Sequence, residues 1–166
     1  MTALLVTALL VAGSAQAETR IGFVNLGRVS AEAPQAEAAR AKLEEEFAPR
    51  DREMAAEQSD IRDLEERLNR DGAVMSEEEQ RRLQRDVVSR KRELRRAQDE
   101  FREDFNMRRN EELGRLQRQI FDTISAVAEQ RDYDLVVSDG VVYASDQVDI
   151  TDLVLEWMRQ DFETGD

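Results

Sequence analysis

Apolar residues recur at helical spacing through the middle of this chain. The main row of a first run has an apolar residue every seventh position: Phe47, Met54, Ile61 and Leu68. Leu43 and Leu64 lie on the intervening positions, and Arg50 and Glu57 interrupt that second row. A seven-residue repeat predicts a coiled-coil seam, here a thin one. Pro49 inside the run predicts a kink near Phe47, or a break that separates a body helix from an arm helix.

A second run of the same kind covers residues 83–127 and slips by one residue at Phe105. Leu113 and Leu116 resume the seam after the slip, which looks like a stutter that locally unwinds a supercoil. If this helix is continuous from position 76 to about Gln130, it is about 80 Å long at 1.5 Å per residue. A compact domain of this size has a radius of gyration of only about 15 Å, so the helix must project from any body.

The two runs are joined by a short connection at residues 69–79. Gly72 suits the position just after a helix end, where φ is positive. Ser76 with Glu79 three residues later fits a capping box at the start of the next helix. Because the connection is so short, the two helices must fold back antiparallel, with the tip of the hairpin near residues 70–76.

The two ends of the chain carry strand patterns instead of helical ones. Three short apolar segments, at 21–24, 133–138 and 141–144, predict strands. Asp139-Gly140 between the last two segments predicts a type I′ hairpin turn. An N-terminal strand therefore pairs with C-terminal strands across a long helical excursion.

We accordingly predict an α+β fold, with a small β-rich oligomerisation body and a projecting antiparallel coiled-coil hairpin. The body comprises residues 18–48 and 112–166, and the arm comprises residues 49–111. Thr151 or Asp152 caps a final helix. Since so small a body buries little apolar surface and leaves sheet edges open, oligomerisation would complete it. The candidates for the oligomer interface are Ile21, Phe23, Val136, Val141, Val142 and Ile150.

Residues 1–17 have the features of a cleavable secretory signal. An apolar run at 3–12 precedes Ala15-Gln16-Ala17, an A-x-A pattern typical of a signal-peptidase site. The run is too short to span a bilayer. The alternatives are an N-terminal membrane anchor or a buried core helix. We expect an exported protein whose mature chain begins at Glu18.

Composition narrows the chemistry that the chain can perform. Its 166 residues include no cysteine and no histidine, which excludes disulfides, thiol nucleophiles, Cys/His zinc sites and histidine catalysis. The formal net charge is −13, so nucleic-acid binding is not expected. No GxxxxGK(S/T) loop is present, so an ATP-driven cycle is not supported. Acidic runs such as 44–46 and 77–79 are typical of solvated helix faces, and we expect no catalytic residue, metal or cofactor.

Five stretches of the chain carry a resemblance to a known family. They are IGFVNLGRV at 21–29, APQAEAARAKLEEEF at 33–47, DGAVMSEEEQRRLQRDV at 71–87, RRNEEL at 108–113 and YDLVVSDGVVYASDQVDITDLVL at 133–155. In this order they resemble the Skp/OmpH family of periplasmic chaperones. The resemblance implies a jellyfish-shaped homotrimer whose three helical arms enclose a cavity. It also implies an ATP-independent holdase that binds unfolded outer-membrane β-barrel proteins in the periplasm and prevents their aggregation.

Two sets of arm residues are candidates for client binding. Segment 81–96 carries eight bases and two acids, whereas its antiparallel neighbour at 49–64 carries five acids and three bases. About four positive charges per arm are therefore left for acidic partners. The apolar candidates either line a client cavity or only join the two helices. The candidates are Phe47, Met54, Phe101, Phe105, Met107, Arg92, Arg95 and Arg96.

The charge of the chain departs from the family pattern. The best-known members are basic, whereas this chain is acidic, and 12 acids against two bases lie in residues 120–166. Contact with a lipopolysaccharide or phospholipid surface therefore stays open. A structural coiled-coil spacer or adaptor of the cell envelope is the alternative function.

Overall fold

Two long helices make up most of the described chain. The computed structural model describes residues 19–165, so the predicted signal segment, residues 1–17, lies outside the described residues. In chain order the elements are β1 (Ile21–Phe23), α1 (Leu26–Glu32), α2 (Pro34–Asp71), α3 (Glu77–Gln130), β2 (Leu135–Val137) and α4 (Thr151–Thr164). Within residues 19–165, no helix is both long and apolar enough to cross a bilayer.

Helices α2 and α3 lie side by side and antiparallel. Lys42 near the start of α2 contacts Glu112 late in α3, whereas Glu65 near the end of α2 contacts Lys91 early in α3. Helix α3 has 54 residues, which makes it about 80 Å long. The predicted extent of this helix is confirmed at both ends, and the hairpin is much longer than the rest of the fold.

The predicted capping box at the start of α3 is confirmed. The Ser76 hydroxyl oxygen accepts a hydrogen bond from the Glu79 backbone N–H at 3.3 Å. In return the Ser76 hydroxyl and backbone N–H donate to Glu79 Oε2, at 2.8 and 3.1 Å. Because these bonds favour the charged carboxylate, they lower the pKa of Glu79. The cap therefore fixes where the return helix begins.

Gly72, at the end of α2, does not adopt the conformation expected for it. Its φ is −58° and its ψ is −32°, so the predicted left-handed conformation is wrong. Space constrains the residue instead, because a Cβ placed on Gly72 would lie 2.3 Å from the Leu68 carbonyl oxygen. Any side chain at this position must shift the backbone at the end of α2.

Helix α2 continues without interruption through Pro49, so the break between a body helix and an arm helix, one of the two predicted outcomes, is wrong, and the kink near Phe47 stays a prediction. An interior proline removes a backbone hydrogen bond and costs about 3 kcal/mol. Two residues earlier, Phe47 packs against Phe101 and Phe105 of α3. This packing holds the chain next to the proline in a helical conformation.

The sheet is far smaller than the predicted β-rich body. Strands β1 and β2 have three residues each and pair in parallel, with Gly22 opposite Val136. One further parallel bridge joins Phe23 to Asp149. The described fold is therefore mostly helical, with few strands.

The predicted hairpin at Asp139-Gly140 is wrong. Gly140 has a φ of +80°, as in a tight turn, but residues 141–144 form no strand. The chain instead returns to the other side of β1, where Phe23 bonds to Val148 and Ile150 through its backbone N–H and C=O. Because parallel neighbours require a crossover connection, the segment after β2 must leave the sheet before it returns.

The hydrophobic core lies where α1, α4 and the adjoining parts of α2 and α3 meet. Val29 of α1, Val127 of α3 and Met158 of α4 are fully buried there. Neither Thr151 nor Asp152 caps α4 as predicted. The Thr151 hydroxyl oxygen instead accepts the Asn25 backbone N–H at 3.0 Å, which ties the start of α4 to the segment after β1.

Candidate binding surfaces

Three aromatic rings join the two helices at the base of the arm. The ring of Phe47 is only 4% exposed and meets the rings of Phe101 and Phe105 edge to face, with centroids 5.4 and 5.2 Å away. The Arg50 guanidinium lies 5.8 Å from the Phe47 ring centre. These predicted client-binding residues thus contact one another, which favours the interpretation that they join the helices. Their role in client binding stays a prediction.

The two predicted methionines occupy different surroundings. Met54 is half-buried between the helices, whereas Met107 on α3 is 55% exposed. Met107 therefore has apolar surface available to a partner without any rearrangement of the arm.

A buried carboxylate lies beyond the aromatic rings, toward the body. The side chain of Glu112 is 6% exposed and pairs with Lys42 at 3.1 Å and with Arg108 at 3.3 Å. The hydrogen bond from Lys42, with the charges of Arg115 and Arg108, lowers the pKa of Glu112. Arg108 also bridges to Glu46 at 3.2 Å, and this hydrogen bond raises the pKa of Arg108. The network clamps α2 to α3.

The sequence pattern missed this carboxylate. Leu113 was expected on the seam but is exposed, and Glu112 takes the inward position before Leu116. After the stutter at Phe105, the residues of α3 that face α2 are displaced by one position. As a result, positions 105, 112 and 116 face inward and position 113 does not. The i, i+4 pairing of Arg108 with Glu112 is the signal that identifies the network in the sequence.

The basic segment divides into paired and unpaired residues. Arg90 pairs with Glu57 at 3.3 Å and with Asp86 at 3.5 Å, and Lys91 pairs with Glu65. The three predicted basic candidates are exposed and have no carboxylate within 4.0 Å among residues 19–165: Arg92, Arg95 and Arg96. They therefore carry the positive charge that the facing helix does not neutralise.

An open groove of about 650 Å³ lies between α2 and α3 halfway along the arm. We call it the mid-arm groove. Three of the residues that line it are apolar and half-buried, Met54, Leu94 and Ala97, and we call these three its floor. The seam is underfilled here because Arg50 and Glu57 replace apolar residues of the second row.

The predicted interface residues are spread over the body. Ile21 and Val142 are exposed, whereas Phe23, Val136 and Val141 are half-buried. Ile150 is buried in the core of the single chain and has little surface left for a partner. Sequence reasoning did not single out Leu135 and Tyr143, whose side chains are also exposed. Whether these residues form an interface stays a prediction.

These features define a class of protein in which a long helical hairpin extends from a small, mostly helical body. The chain matches the family described as outer membrane protein (OmpH-like) over residues 20–158. It therefore belongs to the OmpH-like family, as the resemblance predicted.

Named relatives and a solved structure agree with this assignment. The chaperone protein Skp of Yersinia pseudotuberculosis is 39% identical over 153 residues, which cover 92% of this chain and 93% of the relative. The chaperone protein Skp of Vibrio cholerae is 26% identical over 151 residues, with 90% and 89% covered. The crystal structure of an OmpH-like putative outer membrane chaperone from Caulobacter crescentus superposes with a TM-score of 0.76 at 14% identity, covering 87% and 86% of the two chains. That structural likeness concerns the fold.

Proposed function

We propose that this protein is an ATP-independent holdase chaperone of the periplasm that binds unfolded outer-membrane proteins and prevents their aggregation. The observation that carries the proposal is the family match over residues 20–158, which includes the whole hairpin. Relatives with near-complete coverage are named chaperone protein Skp. A holdase acts by mass action on the unfolded side of the folding equilibrium, and it needs no catalytic residue for this.

The arm offers several weak contact surfaces rather than one deep site. Met107 presents apolar surface, the mid-arm groove has an apolar floor, and Arg92, Arg95 and Arg96 present positive charge. An ion pair with one of these exposed arginines contributes about 1 kcal/mol or less. Binding therefore depends on many contacts made at once, which multiplies the effective affinity.

The proposed assembly is a homotrimer whose three arms, built as coiled-coil hairpins, enclose the client. The small body supports an oligomer because Ile21, Val142 and Tyr143 expose apolar surface on it. Residues 1–17 would direct the chain to the periplasm and be removed there. The trimer brings three copies of each weak surface together around one unfolded chain.

A structural spacer or adaptor of the cell envelope is the second candidate. It is favoured by the packing of Phe47, Phe101 and Phe105 against one another, because this uses the largest apolar side chains of the arm to hold the hairpin together. A spacer needs a stable hairpin but no surface for unfolded chains.

A light-scattering assay separates the two functions. An unfolded outer-membrane β-barrel protein is diluted from urea at low salt, without nucleotide, into buffer with or without the mature chain. We expect suppression of aggregation near one trimer per client. An unrelated acidic protein at equal concentration is the control. Scattering that is the same with this chain as with the control contradicts the holdase and favours the spacer.

A further inference from the structure

The charged residues that line the mid-arm groove are mostly acidic, whereas the binding surface predicted from the sequence at 81–96 is basic. Five carboxylates and two guanidiniums line it. Both guanidiniums are already paired. Arg50 bonds to Asp104, which lies outside the groove, at 2.7 Å, and Arg90 is shared between Glu57 and Asp86.

The remaining three carboxylates have no cation. Glu53 of α2 and Glu93 and Glu100 of α3 make no ion pair within 4.0 Å in the part of the chain that the structure describes. The Ser89 hydroxyl donates to Glu93 Oε1 at 3.0 Å, which orients that carboxylate but does not neutralise it. Three carboxylates without an ion pair therefore line the groove beside its apolar residues, and Arg96, one helical turn from Glu93 and Glu100, lies more than 4.0 Å from both carboxylates.

A ligand that fits this arrangement needs two properties. It must place apolar atoms against Met54, Leu94 and Ala97, where half-buried side chains leave surface to be covered. It must also bring positive charge to the rim. Lysine and arginine side chains meet both needs, because their alkyl stems cover apolar surface while the charged ends reach the carboxylates.

We propose that the mid-arm groove binds segments of unfolded polypeptide in which lysine or arginine stands beside apolar side chains. This inference rests on the proposed function and names the class of client segment that this part of the arm selects. The groove exists because Arg50 and Glu57 interrupt the seam and because Ala97 is small. The same interruptions that weaken helix pairing thus create the site.

The test uses three labelled peptides with one apolar framework. Each repeats a leucine, a serine and a variable residue five times, and the variable residue is lysine, glutamine or glutamate. Fluorescence anisotropy with the full mature chain at low salt measures their affinities. We expect the lysine peptide to bind about ten-fold more tightly than the glutamine peptide. The glutamate peptide can bind Arg92, Arg95 and Arg96 instead, so the ratio of the lysine and glutamine affinities is the test of the groove. Equal affinities, or the reverse order, overturn the proposal.

A matched pair of variants locates the effect. E53Q/E93Q/E100Q removes the unpaired carboxylates of the groove, whereas E45Q/E66Q/E103Q removes three exposed carboxylates of helices α2 and α3 that do not line it. Both change the net charge equally. We expect the first variant to lose most of the preference for the lysine peptide and the second to retain it. Equal losses in both variants overturn the assignment, since long-range charge would then explain the binding.

Filling the floor provides an independent check. Ala97→Leu should weaken the lysine and glutamine peptides alike, by about three-fold or more, while helicity by circular dichroism is kept. Unchanged affinity for both peptides overturns the role of the floor. If the unmutated chain does not suppress aggregation but still prefers the lysine peptide, the holdase function is refuted and the groove assignment is not. Suppression without any peptide preference refutes the groove alone.

Discussion

The side chain of Phe47 offers the strongest test of what holds the two helices of the arm together. Its substitution by alanine removes a side chain that is 4% exposed and that makes two edge-to-face contacts, with Phe101 and Phe105. Phe→Ala changes in cores cost about 3–5 kcal/mol, including the loss of aromatic pairs worth about 1 kcal/mol each. Since Phe101 and Phe105 are half-buried and can move into the gap, we expect the low end, about 3 kcal/mol.

Hydrogen exchange measures this cost locally. A loss of about 3 kcal/mol corresponds to roughly a hundred-fold increase in the opening of the helix pair, because each 1.4 kcal/mol is a factor of ten. Exchange should therefore accelerate in peptides from 40–60 and 95–110, while the body keeps its protection. Met107→Ala is the control, since that side chain is 55% exposed and its loss should leave exchange unchanged. If Phe47→Ala leaves exchange unchanged yet weakens client binding, the ring lines the client surface and our interpretation of its packing is wrong.

Three further predictions concern the tip, the buried carboxylate and the basic residues. Gly72→Ala and Gly72→Asn should both increase hydrogen exchange at the tip, because the limit is the approach to a carbonyl oxygen and not the sign of φ. Glu112→Gln should cost about 1 kcal/mol at neutral pH. Because the pKa of Glu112 is lowered from its ordinary value of 4.5, the charged carboxylate stabilises the fold above pH 4.5, and this stabilisation is lost as the pH falls through the lowered pKa. The free energy of unfolding, measured with urea, should therefore decrease less on acidification in the variant than in the unmutated chain. Changing Arg92, Arg95 and Arg96 to Glu should weaken binding of an acidic unfolded protein by tens-fold at low salt, less at high salt, with helicity unchanged; an unchanged affinity contradicts their role.

Local signals in the sequence predict the hairpin well. The Ser76–Glu79 capping box fixes the start of α3, and the apolar repeat predicts which residues of α2 face α3, including Phe47 and Ile61. Both signals depend on residues within one or two helical turns. The inward position of Glu112 was missed because the one-residue slip after Phe105 changes which residues face α2.

Long-range pairing explains what sequence reasoning missed in the body. Asp139-Gly140 carries a strong local turn signal, and Gly140 does adopt a positive φ. Whether a strand follows the turn is decided elsewhere, by Phe23, whose backbone bonds to Val148 and Ile150. A turn motif specifies its own dihedral angles but not the strand on its far side, so the predicted hairpin failed although the turn formed.

The charge pattern of the arm shows why net charge alone is a poor guide to its partners. The chain carries a formal charge of −13, yet Arg92, Arg95 and Arg96 leave positive charge on one surface of α3. Two of the three unpaired carboxylates of the mid-arm groove, Glu93 and Glu100, lie within one helical turn of Arg96. Exposed charges are screened over about 8 Å at physiological ionic strength, which is more than the spacing of side chains one helical turn apart, so the arginines and the carboxylates act on neighbouring parts of a client. An unfolded chain with both acidic and basic segments therefore finds a complementary surface for each along a single arm.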